Sequence, residues 1–224
     1  MGLLEWDSVG MTLVVALLGS GLATFVSVLL ILALRLWLPQ RFVFLELLTY
    51  FPLLLPPTIL GLVLLFVCST PALEFLSLRI FLFSPQGLVL AGMLTGMPYA
   101  LQVLLSQAKK LPVTLFWVSQ TLGRSKMEFV WLVYFPLLRT AIFQGLRFSI
   151  GHVLGEFGVT LIIGGNIPGR TRTLSLVIYE SVMQGEMDKA IMNASALIIL
   201  VLFLFGGIWR LESYFSPTKW DKRA

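Results

Sequence analysis

The sequence predicts an all-α protein: a polytopic transmembrane helical bundle of about five spanning helices, in one domain covering residues 1–224. Three observations predict this. The chain is 58% hydrophobic and only 12% charged, against about 25% charged in soluble domains. That is more apolar surface than a water-soluble fold of this length can hide. Five apolar stretches, at 9–34, 42–68, 87–108, 136–165 and 190–209, reach the roughly 20 residues that cross a bilayer core of about 30 Å. Lys and Arg sit in the gaps between these stretches, as the positive-inside rule requires.

That last pattern sets an orientation. Arg35, Arg41, Lys109, Lys110, Arg124, Lys126, Arg139, Arg210, Lys219, Lys222 and Arg223 fall on one side. Arg79, Arg170, Arg172 and Lys189 fall on the other, and Arg147 lies inside an apolar stretch. Eleven against four makes the first side cytoplasmic, with the N-terminus outside and the C-terminus inside. The same dispersal excludes nucleic acid as the partner of a chain with net charge +5, since no basic segment is concentrated. Glu5 and Asp7 precede the first apolar run, where a cleavable signal would carry positive charge.

Each stretch is helical because backbone groups in lipid must be satisfied within the segment. The second contains Pro52, Pro56 and Pro57, which remove three donors and kink or break it. A packing kink and a broken helix lining a pathway both fit. Between the third and fourth lies a cytoplasmic segment at about 109–135. A helix is expected to end near Gly123 in a left-handed cap, and another to start at Ser125 with Glu128 closing a capping box. It fits an interfacial helix anchored by Trp117 and Trp131, or a docking helix for a soluble partner.

In the fourth stretch Gly145, Ser149, His152, Glu156 and Thr160 share one face at 100° per residue. An ionisable group at mid-membrane rarely faces lipid, so this stripe is expected at an interface or a pathway. His152 and Glu156 are one turn apart and can hydrogen-bond. The pair reads as interhelical glue or as the border of a translocation path formed by Ser149, His152, Gly155, Glu156 and Thr160. An external loop follows at about 166–189. Its turn at Pro168 and Gly169 leads into a short helical pattern around Tyr179 and Glu180, too short to span. That helix is a gate or a cap over the bundle.

Catalysis has little material here. One His, one Cys (Cys68) and one evident intramembrane carboxylate make no nucleophile–base pair, metal cluster or carboxylate dyad. No metal ligand set is expected. No carbonyl-filter repeat suggests a channel. No Gly-rich phosphate loop with its lysine is present, so ATP is not hydrolysed by this chain.

Several motifs carry a family resemblance. Leu154-Gly155-Glu156-Phe157-Gly158, followed by Gly165, Asn166, Pro168, Gly169, Thr171, Arg172 and Thr173, resembles the molybdate ABC-transporter permease family. The Pro52–Pro56–Pro57 run is similar to the proline-rich second helix of that family. Thr121-Leu122-Gly123, with Phe135 and Pro136 beyond it, resembles the coupling motif of ABC importers. The shorter Gly-Glu-Phe-Gly piece is shared with sulfate permeases. The motif normally opens with a glutamate and two alanines, where this chain has Phe116, Val118 and Ser119. A following proline pair is reduced, with Thr140 at its second position.

The resemblance implies a type I ABC importer permease-like fold that moves an oxyanion, molybdate or tungstate, by alternating access across a bacterial inner membrane. A sulfate or thiosulfate permease is the nearest alternative. The implied partners are a second copy of the chain, two ABC ATPase subunits on the cytoplasmic side, an external oxyanion-binding protein and the lipid bilayer. No cofactor is expected on this chain; ATP and Mg belong to the ATPase. Ser119, Thr121, Leu122, Gly123, Phe129 and Pro136 would couple to the ATPase. Asn166, Pro168, Gly169, Thr171, Arg172, Thr173, Tyr179 and Glu180 would form the external gate.

Overall fold

Residues 3–37, 49, 54–71 and 77–215 are described by a computed structural model. All regular structure among them is helical. Helix α1 (Trp6–Val14) runs through a π-helical turn (Val15–Gly19) into α2 (Ser20–Trp37). Helix α3 is Pro57–Ser69, and a 3-10 turn at Leu78–Phe81 leads to α4 (Pro85–Lys110). Helix α5 is Thr114–Thr121. Helix α6 (Lys126–Phe129), a π-helical turn (Val130–Tyr134) and α7 (Phe135–Gly155) form one continuous rod. Helices α8 (Gly158–Gly164), α9 (Leu174–Met183) and α10 (Met187–Phe215) complete the chain.

Among the described residues, four helical rods are long and apolar enough to cross a membrane: Trp6–Ala33, Pro85–Lys110, Lys126–Gly155 and Met187–Phe215. Helix α3 is a shorter apolar helix. It covers the end of the expected second span, whose earlier part, Pro52 included, lies outside the described residues. The start of the fourth span moves: the helix begun after Ser125 does not end in a loop but feeds directly into that span.

Helix α4 is central and packs against α2 and α7. Its start is fixed by Ser84, whose hydroxyl accepts from the Gly87 amide at 3.2 Å, and by Pro85 in the first turn. Lys109 and Lys110 sit in its last turn, where cations suit the helix dipole. Helices that share lipid as solvent gain little from the hydrophobic effect on meeting, so close packing of small residues holds them. The expected stripe on α7 serves this purpose over its first half. A Cβ at Gly145 would lie 3.1 Å from the Ala100 carbonyl oxygen. The Ser149 hydroxyl fills the space beside Gly96, and Ser149 is fully buried.

One core, between α4 and the N-terminal half of the α6–α7 rod, is built of Leu101, Leu104, Leu105, Phe129, Tyr134 and Leu138. Another, joining α7 to α10, contains Ile150, Leu154, Leu204 and Ile208. The outer face of α10 is the reverse: Ile198, Ile199, Leu202 and Phe203 are exposed, as a lipid-facing surface would be.

Candidate functional site

The fourth apolar stretch is not one helix. Glu156 takes extended backbone angles (φ −68°, ψ 126°) and ends α7. Thr160 therefore does not continue the α7 stripe, which corrects the expectation of one face from Gly145 to Thr160. The break has two local causes. Glu156 caps α8, its Oε1 accepting from the Val159 amide at 2.9 Å; an acidic side chain at a helix start satisfies an orphan donor and suits the dipole. Gly158 then lets α8 cross the start of α3, since a Cβ there would lie 3.1 Å from Pro57 Cβ and 3.2 Å from the Thr58 amide nitrogen. Helix α3 itself begins abruptly after Pro56, with Pro57 in its first turn.

A pocket of ≈ 90 Å³ opens where these interruptions meet Pro98, inside α4. Its wall includes Pro57, Thr95, Pro98, Tyr99, His152 and Glu156. A single water needs about 10–15 Å³, so the pocket has room for several waters or one small ion. The other Glu156 oxygen, Oε2, is 3.4 Å from His152 Nε2. Glu156 is 4% exposed, and the His152 ring stacks on Tyr99 with centroids 4.2 Å apart. The carboxylate is thus held at both oxygens. The wall combines an imidazole, a phenol and a threonine around a carboxylate whose two oxygens both have partners.

Of the five path candidates, His152 and Glu156 line this pocket together with Pro57. Gly155 is the exposed last residue of α7. Ser149 is packed against α4, and the Thr160 hydroxyl donates back to Phe157 and Glu156 carbonyls at 2.9 and 3.1 Å. Tyr99 and Thr95 were not foreseen, because their place in the wall is set by tertiary packing. Among the described residues no group of three His, Cys, Asp or Glu could hold a metal ion.

The loop after α8 folds back over the break. Thr171 is buried; its hydroxyl donates to the Gly164 carbonyl at 2.6 Å and accepts from the Ile167 amide at 3.0 Å. Asn166 has left-handed backbone (φ 51°), and Pro168 and Gly169 form an exposed tip. Arg172 Nε donates to Asn166 Oδ1 at 3.1 Å, and its guanidinium pairs with Glu180 at 3.0 Å. Asn166 Nδ2 also donates to Glu180, at 3.0 Å. Thr173 precedes α9 without a side-chain cap; instead the Leu174 amide donates to Thr12 Oγ1 of α1 at 2.9 Å. Tyr179 packs on Phe157 with centroids 4.7 Å apart. The Ser175 hydroxyl donates to the Leu154 carbonyl at 2.9 Å, a group the break leaves without its usual helical partner.

On the opposite end, α5 and α6 form a tight helical hairpin. Gly123 adopts φ +75°. Its amide donates to Gln120 O at 3.0 Å and the Arg124 amide to Ser119 O at 3.1 Å, the paired bonds of a Schellman cap. Ser125 and Glu128 form the expected capping box. The coupling candidates divide. Thr121, Leu122, Gly123 and Pro136 are exposed. Ser119 and Phe129 are buried, Phe129 edge-on to Phe116 at 5.3 Å.

A second intramembrane charge pair escaped the sequence reading. Arg147 on α7 reaches Glu212 on α10 at 2.6 Å, with the guanidinium 5.9 Å from the Phe205 ring centre. Gln144 Nε2 donates to the other Glu212 oxygen at 3.1 Å.

These features have counterparts in known proteins. The chain is 34% identical over 158 residues to a Clostridium pasteurianum protein named "Probable transport system permease protein NifC", covering 68% of this chain and 54% of that one. It thus spans about half the length of that relative. It is 33% identical over 160 residues to the molybdenum transport system permease protein ModB of Azotobacter vinelandii, covering 68% of this chain and 71% of the relative. Sulfate permease 2, chloroplastic, of Chlamydomonas reinhardtii is 28% identical over 127 residues, or 57% of this chain and 34% of that one. Residues 30–211 match the family described as binding-protein-dependent transport system inner membrane component, and on that match the chain belongs to this family.

Proposed function

We propose that this chain is the membrane-spanning permease subunit of an ABC importer that moves an oxyanion, molybdate foremost and tungstate as its near-isostere, by alternating access. The observation that carries this reading is the pocket at which α3, α4 and the α7–α8 break converge. Irregular backbone at membrane depth persists where protein or a water-filled cavity surrounds it, and such sites in transporters hold substrate. The pocket would border the path, with His152 and Tyr99 facing the anion and Glu156 positioning His152. The 166–189 loop would gate its outer end. The N-terminus would face outside and the C-terminus the cytoplasm.

A second copy would complete the path, an external binding protein would deliver the anion, and two ABC ATPase subunits would bind and hydrolyse ATP with Mg. Molybdate is favoured over sulfate by the ModB relative, which matches at 33% identity against 26–28% for the sulfate permeases. Sulfate or thiosulfate remains the second reading. Cells or vesicles carrying the whole transport system should take up labelled molybdate, and excess tungstate should block it. Block by excess sulfate but not by tungstate would transfer the assignment to the second reading.

The exposed Thr121–Gly123 tip would enter a cleft of the ATPase. Gly123→Val tests this. A Cβ there meets nothing within 4 Å, so the variant strains the turn without clashing inside the chain. Holding a β-branched residue at φ +75° costs about 1–2 kcal/mol. Uptake and substrate-stimulated ATP hydrolysis should be lost at normal membrane levels of the chain. Normal coupled hydrolysis would remove the coupling role.

A further inference from the structure

The segment before α1 is tied to the loop and to α10 by charge. The Glu5 carboxylate lies 2.9 Å from Lys189 Nζ and 3.5 Å from the Arg172 guanidinium, and accepts from the Ser8 hydroxyl at 3.2 Å. Arg172 also holds Glu180 of α9, and Lys189 is 3.8 Å from Glu186. The backbone is fastened too. Asn193 of α10 is fully buried; it accepts from the Glu5 amide at 3.3 Å and donates to the Leu3 carbonyl at 2.9 Å. Burial acts to raise the Glu5 carboxyl, but the Lys189 hydrogen bond, the charges of Lys189 and Arg172 and the Ser8 hydroxyl prevail and hold it below its ordinary value.

Two cations here face three carboxylates, Glu5, Glu180 and Glu186. The cluster is therefore a poor anion-recruiting site, and its geometry suits a clasp: one carboxylate bridges cations from two separate elements. Residues 3–5 lie before the match to the transport family, which starts at residue 30.

We propose that Glu5 is the keystone of an ionic latch: the segment at residues 3–5 straps α9 and the 166–173 turn down against α10, and the loop lifts only when the Glu5 contacts to Arg172 and Lys189 break. That the lifting admits substrate rests on the gate reading given above; the latch itself does not.

The test uses the full-length chain in lipid nanodiscs, with Cys68→Ala and Val177→Cys. Val177 lies on the buried face of α9 and is 1% exposed, so a membrane-impermeant maleimide reaches it only when the loop lifts. Glu5→Gln should speed labelling about fivefold, the scale of a partly exposed ion-pair network. The exchange Glu5→Lys with Lys189→Glu restores the 5–189 contact but sets a lysine beside Arg172, so its rate should fall below that of Glu5→Lys alone without reaching the parent's.

With every charge in place, raising salt from about 0.05 to 0.5 M should also speed labelling, because partly exposed pairs are screened. So should acidification. The folded carboxyl is lowered, so the latch is whole above the ordinary carboxylate range and is lost as pH falls through the folded value. Glu180, Glu186 and Asp7 are further carboxylates in the same neighbourhood, which makes salt the cleaner arm. A rate indifferent to both Glu5→Gln and salt would overturn the latch. Molybdate uptake is measured in parallel: faster labelling with unaltered uptake would leave the latch standing and remove the gate reading.

Discussion

Arg147→Met alone should destabilise the chain by about 3–5 kcal/mol, and Arg147→Met together with Glu212→Leu should recover most of that loss. The two side chains are 15% and 11% exposed and meet at 2.6 Å between α7 and α10. Removing one leaves the other charged in a low-dielectric setting, with Gln144 as its remaining side-chain partner where Glu212 is the survivor. Removing both replaces two ions by apolar groups that suit the surrounding Phe205 and neighbouring leucines. The measurement is a double-mutant cycle on the fraction of folded chain that survives heating in detergent. Simple additivity of the two single losses would show that the pair is not coupled.

Glu156→Ala should reduce uptake at least about tenfold, with Glu156→Gln falling between it and the parent. Alanine removes both contacts at once: the cap on the Val159 amide, worth about 1 kcal/mol in general, and the acceptor that orients His152. Glutamine keeps a carbonyl for Val159 and loses the charge. Since each 1.4 kcal/mol of lost positioning is a factor of ten in rate, the ordering of the variants separates cap from charge. Uptake unchanged in Glu156→Ala, at equal membrane levels, would reduce the carboxylate to packing.

Much of the architecture was legible because the bilayer enforces it. Length and apolarity alone located three of the four long rods closely and set the fourth about ten residues too late, while local cap chemistry located Gly123, Ser125 and Glu128. The loop residues Asn166, Arg172 and Glu180 were singled out by motif, and the structure gathers them into one network. The break at Glu156 was not legible from helical periodicity, which extends a face through any apolar run. Its causes are the reach of one carboxylate to the next helix start and the crossing of Gly158 over Pro57, the second of which is tertiary. A signal did exist in the Gly155-Glu156-Phe157-Gly158 sequence, where two glycines flank an acidic cap. Glu212 was missed for another reason: it follows Arg210 at the end of the last apolar run, and a residue there reads as interfacial until its partner is known.

The bond from Ser175 to the Leu154 carbonyl ties the loop helix to the fractured span. In an unbroken helix the Leu154 carbonyl would take the amide of residue 158; here that carbonyl is served by a hydroxyl 21 residues downstream. Lifting α9 strands the carbonyl in apolar surroundings, at about 1–3 kcal/mol, unless the span straightens to reclaim it. At this one carbonyl α9 thus stands in for the helical turn that the break removes.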